Sequence, residues 1–153
     1  MERQNVFTHI LVPTDGSESS IHAGHLAIQL ATTYNARLTL MYVVDSAIVE
    51  EIASAIRKST DIMHQDMESK GLHYLDYLAR LARDKDLPTE QVIRHGIPHN
   101  EIANLAQERG VDLIVIGRVG CRRTRCLLGS VAERVIEHAP CPVLVVSHSP
   151  TRR

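Results

Sequence analysis

Asp112-Leu113-Ile114-Val115-Ile116-Gly117-Arg118-Val119-Gly120 is a β-branched run that stops in glycine, and eight residues further on Gly129-Ser130-Val131-Ala132-Glu133 follows. A run of this kind reads as a buried strand, and its end as a loop that feeds the N-terminus of a helix. Gly117 and Gly120 lack a Cβ, so they can take positive φ or let another group approach the backbone closely. Ser130-x-x-Glu133 has the spacing of a capping box that starts the helix. Bare N–H groups and about half a positive charge at a helix start make a site for an anion such as phosphate. The alternative is a strand-to-helix turn that needs glycine for its geometry and binds nothing. The pattern is neither Gly-x-x-x-x-Gly-Lys-Ser/Thr nor Gly-x-Gly-x-x-Gly.

Other junctions repeat this arrangement. His9-Ile10-Leu11-Val12 is a short apolar run followed by Pro13-Thr14-Asp15-Gly16-Ser17, with turn and helix-cap residues. Leu38 to Val44 reads as a strand ending at Asp45, Gln91 to Arg94 as a weaker one before Gly96-Ile97-Pro98, and Pro142 to Val146 as a fifth. Between them, Ile21, Leu26, Ile28, Leu30 and Ala31, then Ile102, Ala103, Leu105 and Ala106, form helical patterns; Gly110 stops the second. Ser46 to Asp86 is less regular. Ile48, Ile52 and Ile56 recur at helical spacing, then Met63 and Met67, then Leu75, Leu78 and Leu81, which predicts one or two helices broken near Ser59 and Gly71. The methionines read as a core stripe rather than cofactor contacts.

Strands alternating with helices predict an α/β fold: a single-domain, open, parallel five-stranded sheet with helices on both faces. The domain spans 1–153, with its core over about 6–148. In such sheets ligands bind beyond the carboxyl ends of the strands, where the strand order switches.

A chain of 153 residues that is 44% apolar can bury a sizeable core, and no composition shift marks a linker. A formal net charge of −1 gives no electrostatic case for nucleic acid, and no segment is apolar for long enough to span a membrane. Met1 to Asn5 lacks the apolar stretch of a signal peptide, so a cytoplasmic location is expected. The three cysteines fit a reducing compartment. Cys141 reads as a small buried residue. Cys121 and Cys126 sit among Arg118, Arg122, Arg123 and Arg125, whose charge would favour thiolate; they are either a redox-sensitive pair or bystanders.

Val12-Pro13-Thr14-Asp15-Gly16-Ser17, Tyr42-Val43-Val44-Asp45, Gly96-Ile97-Pro98-His99, Val111-Asp112-Leu113-Ile114-Val115-Ile116-Gly117, Leu128-Gly129-Ser130-Val131-Ala132-Glu133 and Ala139-Pro140-Cys141-Pro142-Val143-Leu144-Val145-Val146 together resemble the universal stress protein family, nearly end to end and in order. The resemblance implies a Rossmann-like fold of the adenine nucleotide alpha hydrolase kind. It implies a homodimer through the last strand, here Pro142, Val143, Leu144, Val145 and Val146. It also implies, for the members that bind nucleotide, a site for ATP or another adenine nucleotide, with or without Mg²⁺.

Carried over by motif, Pro13, Thr14 and Asp15 match positions that approach adenine and ribose, and Val43 matches one lining the base pocket. Ile116, Gly117, Val119 and Gly120 match the first half of the phosphate motif; Gly129, Ser130, Val131 and Ala132 match the second. Asp15 would accept from a sugar hydroxyl or, alternatively, simply cap the next helix.

The chain departs from the family's Gly-x2-Gly-x9-Gly-Ser/Thr pattern, because only Cys121 to Leu128 separate Gly120 from Gly129; the loop is one residue short. One residue contributes up to about 3.5 Å of reach, more than a hydrogen bond tolerates. Against this, Arg118, Arg122, Arg123 and Arg125 crowd the loop with positive charge, and their forks suit phosphate oxygens. The same arginines can equally form a solvated rim.

No Ser/His/Asp arrangement or activated nucleophile is legible, so no enzymatic activity is expected. His22 and His25 lie one helical turn apart without a third ligand nearby, and His95, His99 and His138 read as isolated, so no metal site is expected. Three functions follow: a dimeric stress-response module that binds nucleotide, a dimer acting through its surface alone, and a thiol redox sensor using Cys121 and Cys126.

Overall fold

The glycine-ended run at Leu113–Gly117 is a fully buried strand in the computed structural model, which describes residues 5–119 and 128–147. The order is β1 (His9–Pro13), α1 (Glu18–Tyr34), β2 (Arg37–Asp45), α2 (Ser46–Ile56), α3 (Thr60–Arg83), β3 (Thr89–Gly96), α4 (Pro98–Glu108), β4 (Leu113–Gly117), α5 (Ser130–His138) and β5 (Val143–Val146). The strands form one parallel sheet in the order β3-β2-β1-β4-β5.

The central strands are apolar at successive positions because both faces are covered. Ile10, Val12, Leu38, Leu40, Val44, Leu113 and Val115 join Ala23, Ala27, Leu75 and Leu78 of α1 and α3 in one core. Leu11, Met41, Ile114 and Ile116, one residue out of step, join Ile102, Leu105, Ala132 and Val135 of α4 and α5 in the other. A period of two thus deals one run of residues to two cores. Each fully buried aliphatic side chain contributes about 1.5–3 kcal/mol.

The region from Ser46 to Asp86 resolves into two helices. They break at Arg57, whose φ of 53° is left-handed, and Ser59 stands at the N-cap position of the second without a side-chain cap bond. The break expected at Gly71 does not occur: α3 runs through it, because a Cβ there would stand 2.2 Å from the Tyr42 ring. Close packing on a strand residue, not a turn, requires glycine at this position. Met63 and Met67 pack partly buried against the first core. Cys141 is half-buried rather than buried, and burial pushes its thiol pKa up. Among the described residues, no helix is long and apolar enough to cross a membrane.

At the amino ends of the central strands, Asp112 ties β4 to β1. Its Oδ2 accepts from the Thr8 N–H and hydroxyl, both at 2.8 Å, and its Oδ1 from the His9 N–H at 3.1 Å. The buried His9 ring bridges two further elements. Its Nδ1–H donates to the Arg109 carbonyl at 3.1 Å, which leaves Nε2 to accept from the Thr39 hydroxyl at 2.7 Å.

Burial alone would raise the pKa of Asp112, but the bonds from Thr8 and His9 outweigh it and hold the carboxyl below its ordinary range. A carboxylate depressed in the folded state contributes stability above its unfolded pKa, about 3.9, and that contribution fades as pH falls through the folded value. Denaturant unfolding from pH 7 down to pH 2.5 is therefore expected to lose stability below about pH 4. Asp112→Asn should be less stable at pH 7 and should flatten that acid slope.

Candidate functional site

Because every strand is parallel, α1, α2, α4 and α5 all begin at the carboxyl edge of the sheet, and β1 lies between β2 and β4 where the strand order reverses. A cavity of about 580 Å³ opens there, within the range of small-molecule sites.

The β1–α1 turn forms one wall. Thr14 N–H donates to the Met41 carbonyl at 2.8 Å, and the Thr14 hydroxyl accepts from Gly16 N–H at 3.3 Å. Ser20 Oγ donates to the Ser17 carbonyl at 3.0 Å, so the 2.9 Å contact between the two hydroxyls runs from Thr14 to Ser20. Thr14 lines the cavity, but its hydroxyl is committed to the turn. Ser17 is the N-cap of α1, accepting from Ser20 N–H at 3.2 Å. Asp15 is not the cap: exposed at the mouth, its Oδ1 accepts from Ser17 N–H at 2.9 Å and sets up the turn before the helix.

The β4 end forms the facing wall. Gly117 is extended and does not have positive φ; what it needs is space. A Cβ there would stand 2.7 Å from the Ser19 carbonyl carbon and the Ser20 amide nitrogen, so the first turn of α1 lies directly against it. Ser19 Oγ donates to the Val146 carbonyl at 3.2 Å, which also accepts from Arg118 N–H at 2.9 Å. Gly129 N–H donates to the Arg118 carbonyl at 2.8 Å, so both ends of the shortened loop meet at the cavity.

The capping box is displaced by one residue. Gly129 is the N-cap of α5, with its carbonyl accepting from Glu133 N–H at 3.0 Å, and Ser130 is the first helical residue, exposed. Among the described residues, no side-chain cap bond is made at the start of α5. The first-turn N–H groups of Ser130, Val131 and Ala132 have no partner within the helix, and the helix dipole adds its positive end at the same place.

Of the residues singled out from sequence, Pro13, Thr14, Asp15, Val43, Ile116, Gly117, Val119, Gly129, Ser130, Val131 and Ala132 line this one cavity, together with Arg118. Gly120, Arg122, Arg123, Arg125, Cys121 and Cys126 lie outside the described residues. Sequence reasoning missed Ser17, Ser20, Tyr42, Asp45, Ile48, Ile52, Met67, Pro98 and Ile102, which complete the lining. Ile48 and Ile52 share one face of α2, a helix that Asp45 starts by accepting from the N–H groups of Ala47 and Ile48 at 3.1 and 3.4 Å. Their four-residue spacing marks a shared helix face but not what that face meets.

The histidines expected to be isolated are paired. The rings of His99 and His138 lie 5.4 Å apart, and His95 meets His64 and Glu68. His25 shares a 3.0 Å hydrogen bond with the Tyr77 hydroxyl, linking α1 to α3.

A family model described as the universal stress protein family matches residues 7–147. Universal stress protein MJ0531 of Methanocaldococcus jannaschii is 35% identical over 144 residues, covering 94% of this chain and 84% of that one. Among solved structures, protein MJ0577 of the same organism superposes with a TM-score of 0.83 at 27% identity, covering 95% of this chain and 99% of that one. A universal stress protein solved in complex with cAMP superposes with a TM-score of 0.69 at 26% identity, covering 94% and 98%.

The contact at Gly117 has a direct test. Gly117→Ala forces backbone apart rather than displacing a side-chain tip, and overpacking of this kind costs about 1–3 kcal/mol. Thermal and urea unfolding should record that loss, whereas Gly110→Ala, with nothing within 4 Å of the added Cβ, should cost only the strain of its left-handed φ of 61°.

Proposed function

The chain belongs to the universal stress protein family, and on that footing we propose that it binds an adenine nucleotide in the cavity between β1 and β4 and works as a dimeric regulatory module in the cytoplasm rather than as an enzyme. The observation that carries this reading is that the cavity lining combines two kinds of surface. Val43, Ile48, Ile52, Met67 and Ile102 supply apolar surface, and the start of α5, with no side-chain cap bond among the described residues, supplies with Arg118 a place suited to an anion. A ligand with a flat apolar base and a phosphate fits both.

In this reading the base lies on the side of Val43, Ile48 and Ile52, Asp15 accepts from a ribose hydroxyl, and phosphate meets Ser130 Oγ and the N–H groups of Val131 and Ala132. The hydrogen bond between Gly129 and Arg118 keeps the α5 start on the cavity although the loop is one residue short. A solved relative holding cAMP favours an adenine ring with phosphate as the ligand class. ATP, ADP, AMP and cAMP are its members to compare, each with and without Mg²⁺. Binding would favour one arrangement of the loop and so one surface for a partner.

Thermal unfolding of metal-free, nucleotide-free protein tests the reading. Ligand at a hundred times its Kd should add about 2.7 kcal/mol and raise the midpoint by several degrees. Ser130→Asp places a carboxylate at an exposed first-turn position, where the helix dipole tolerates it but a phosphate would be repelled. This variant is expected to fold normally and to lose at least tenfold in affinity. No shift with any nucleotide would favour a dimer that acts through its surface alone.

The proposed dimer pairs through β5, which closes one side of the sheet. Leu144 on this strand is 37% exposed, a large apolar side chain on an edge. Leu144→Lys is expected to change the mass measured by sedimentation from dimer to monomer. A dimer that persists would put the interface elsewhere.

A further inference from the structure

Outside the cavity, His64 and Glu68 of α3 and His95 of β3 form a cluster to which the nucleotide reading gives no role. Nδ1 of His64 lies 3.1 Å from Nδ1 of His95, with the ring centroids 5.0 Å apart and the planes tilted by 52°. On the far side of the His95 ring, Nε2 is hydrogen-bonded to Glu68 Oε1. A carboxylate can only accept, so Nε2 of His95 carries a proton; in the neutral ring that leaves the lone pair on Nδ1, toward His64.

Two features of this arrangement belong to metal sites. Imidazole nitrogens bound at about 2.0–2.1 Å to one tetrahedral zinc stand about 3.3–3.4 Å apart, close to the separation here. A ligating histidine also characteristically donates its other N–H to a carboxylate, which fixes the tautomer and raises the basicity of the ligand. From this geometry we propose that His64 and His95 bind a divalent transition-metal cation of the imidazole-preferring class, Zn²⁺, Cu²⁺ or Ni²⁺, through their Nδ1 atoms, with Glu68 orienting His95.

Proton bookkeeping is simple. With both rings neutral and no metal, His64 donates its Nδ1 proton to His95; with metal, that proton moves to Nε2 and both Nδ1 lone pairs face the cation. No net proton is released when both rings are neutral.

The side chains of His95 and Glu68 are 38% and 43% exposed, so a cation can enter and water can complete its shell. Among the described residues, no group of three or more His, Cys, Asp or Glu side chains is placed to hold a metal, so this is a two-histidine site. None of its three residues lines the cavity, although Glu68 follows the cavity residue Met67, and His95 pairs in register with Val44 beside Val43. A bound cation would fasten α3 to the edge strand β3.

The test is titration of the metal-free full-length protein with ZnCl₂ in a non-coordinating buffer, read by histidine ¹⁵N NMR and by calorimetry. The expected result is a shift of the Nδ1 resonances of His64 and His95 that saturates near one equivalent. His64→Ala or His95→Ala should weaken that binding at least tenfold. Glu68→Gln, which keeps both ligands, should weaken it by about tenfold, as loss of an orienting carboxylate does elsewhere. His22→Ala/His25→Ala should leave it unchanged. All these side chains are exposed or half-buried, so the variants should fold, and thermal unfolding checks that they do. Nδ1 resonances that do not move, or binding untouched by His64→Ala and His95→Ala, would overturn the proposal.

Discussion

The first turn of α1 lies against the end of β4 more closely than any side chain would allow. A Cβ on Gly117 would meet the backbone of Ser19 and Ser20 at 2.7 Å. This approach brings the β1–α1 turn beside the β4 end, so that Pro13 to Asp15 and Ile116 to Val119 become walls of one crevice. It also carries Ser19 to the Val146 carbonyl, which links α1 to the edge strand. The strand order, the cavity and the position of β5 therefore converge on a residue that has no side chain.

The electrostatics of the cavity follow from topology before any charged side chain is counted. Parallel strands joined by helical crossovers set successive helix starts along one edge of the sheet, and each brings unpaired N–H groups and a partial positive charge. The helices differ in what satisfies those groups. Ser17 caps α1 and Asp45 caps α2, whereas α4, which opens on Pro98, and α5, which begins at Gly129, have no side-chain cap bond among the described residues. The start of α5 is thus suited to an external anion. The apolar residues of α2 and α3 in the same lining suit a ligand that also carries a flat hydrophobic part.

Much of this was legible from local signals. Each strand end has its own punctuation, Pro13 to Ser17, Asp45, Gly96 to Pro98 and Gly117, so the alternation and the edge of the sheet that carries the site could be read directly. The motif residues found by resemblance, Gly120 apart, line one cavity; Gly120 lies outside the described residues. The other lining residues were not legible, because Ile48, Ile52, Met67 and Ile102 show the same helical periodicity whether they face a core or a cavity. Gly71 was misread as a break because the ring that fills its space, Tyr42, is distant in sequence. Ser130 and Glu133 fit the capping spacing, yet the helix begins one residue earlier in register. His64 and His95 are 31 positions apart and on different elements, so nothing in their spacing could announce the pair.

Central to the account is the proposal that the cavity takes a base on its apolar residues and a phosphate at the start of α5. Amide and methyl NMR of the same sample titrated separately with AMP and with adenosine tests this most directly. The Val43 and Ile52 methyls should shift with both ligands, while the amides of Val131 and Ala132 should shift strongly only with AMP. Shifts scattered over other surfaces, or Val131 and Ala132 amides that respond no differently to the two ligands, would contradict it.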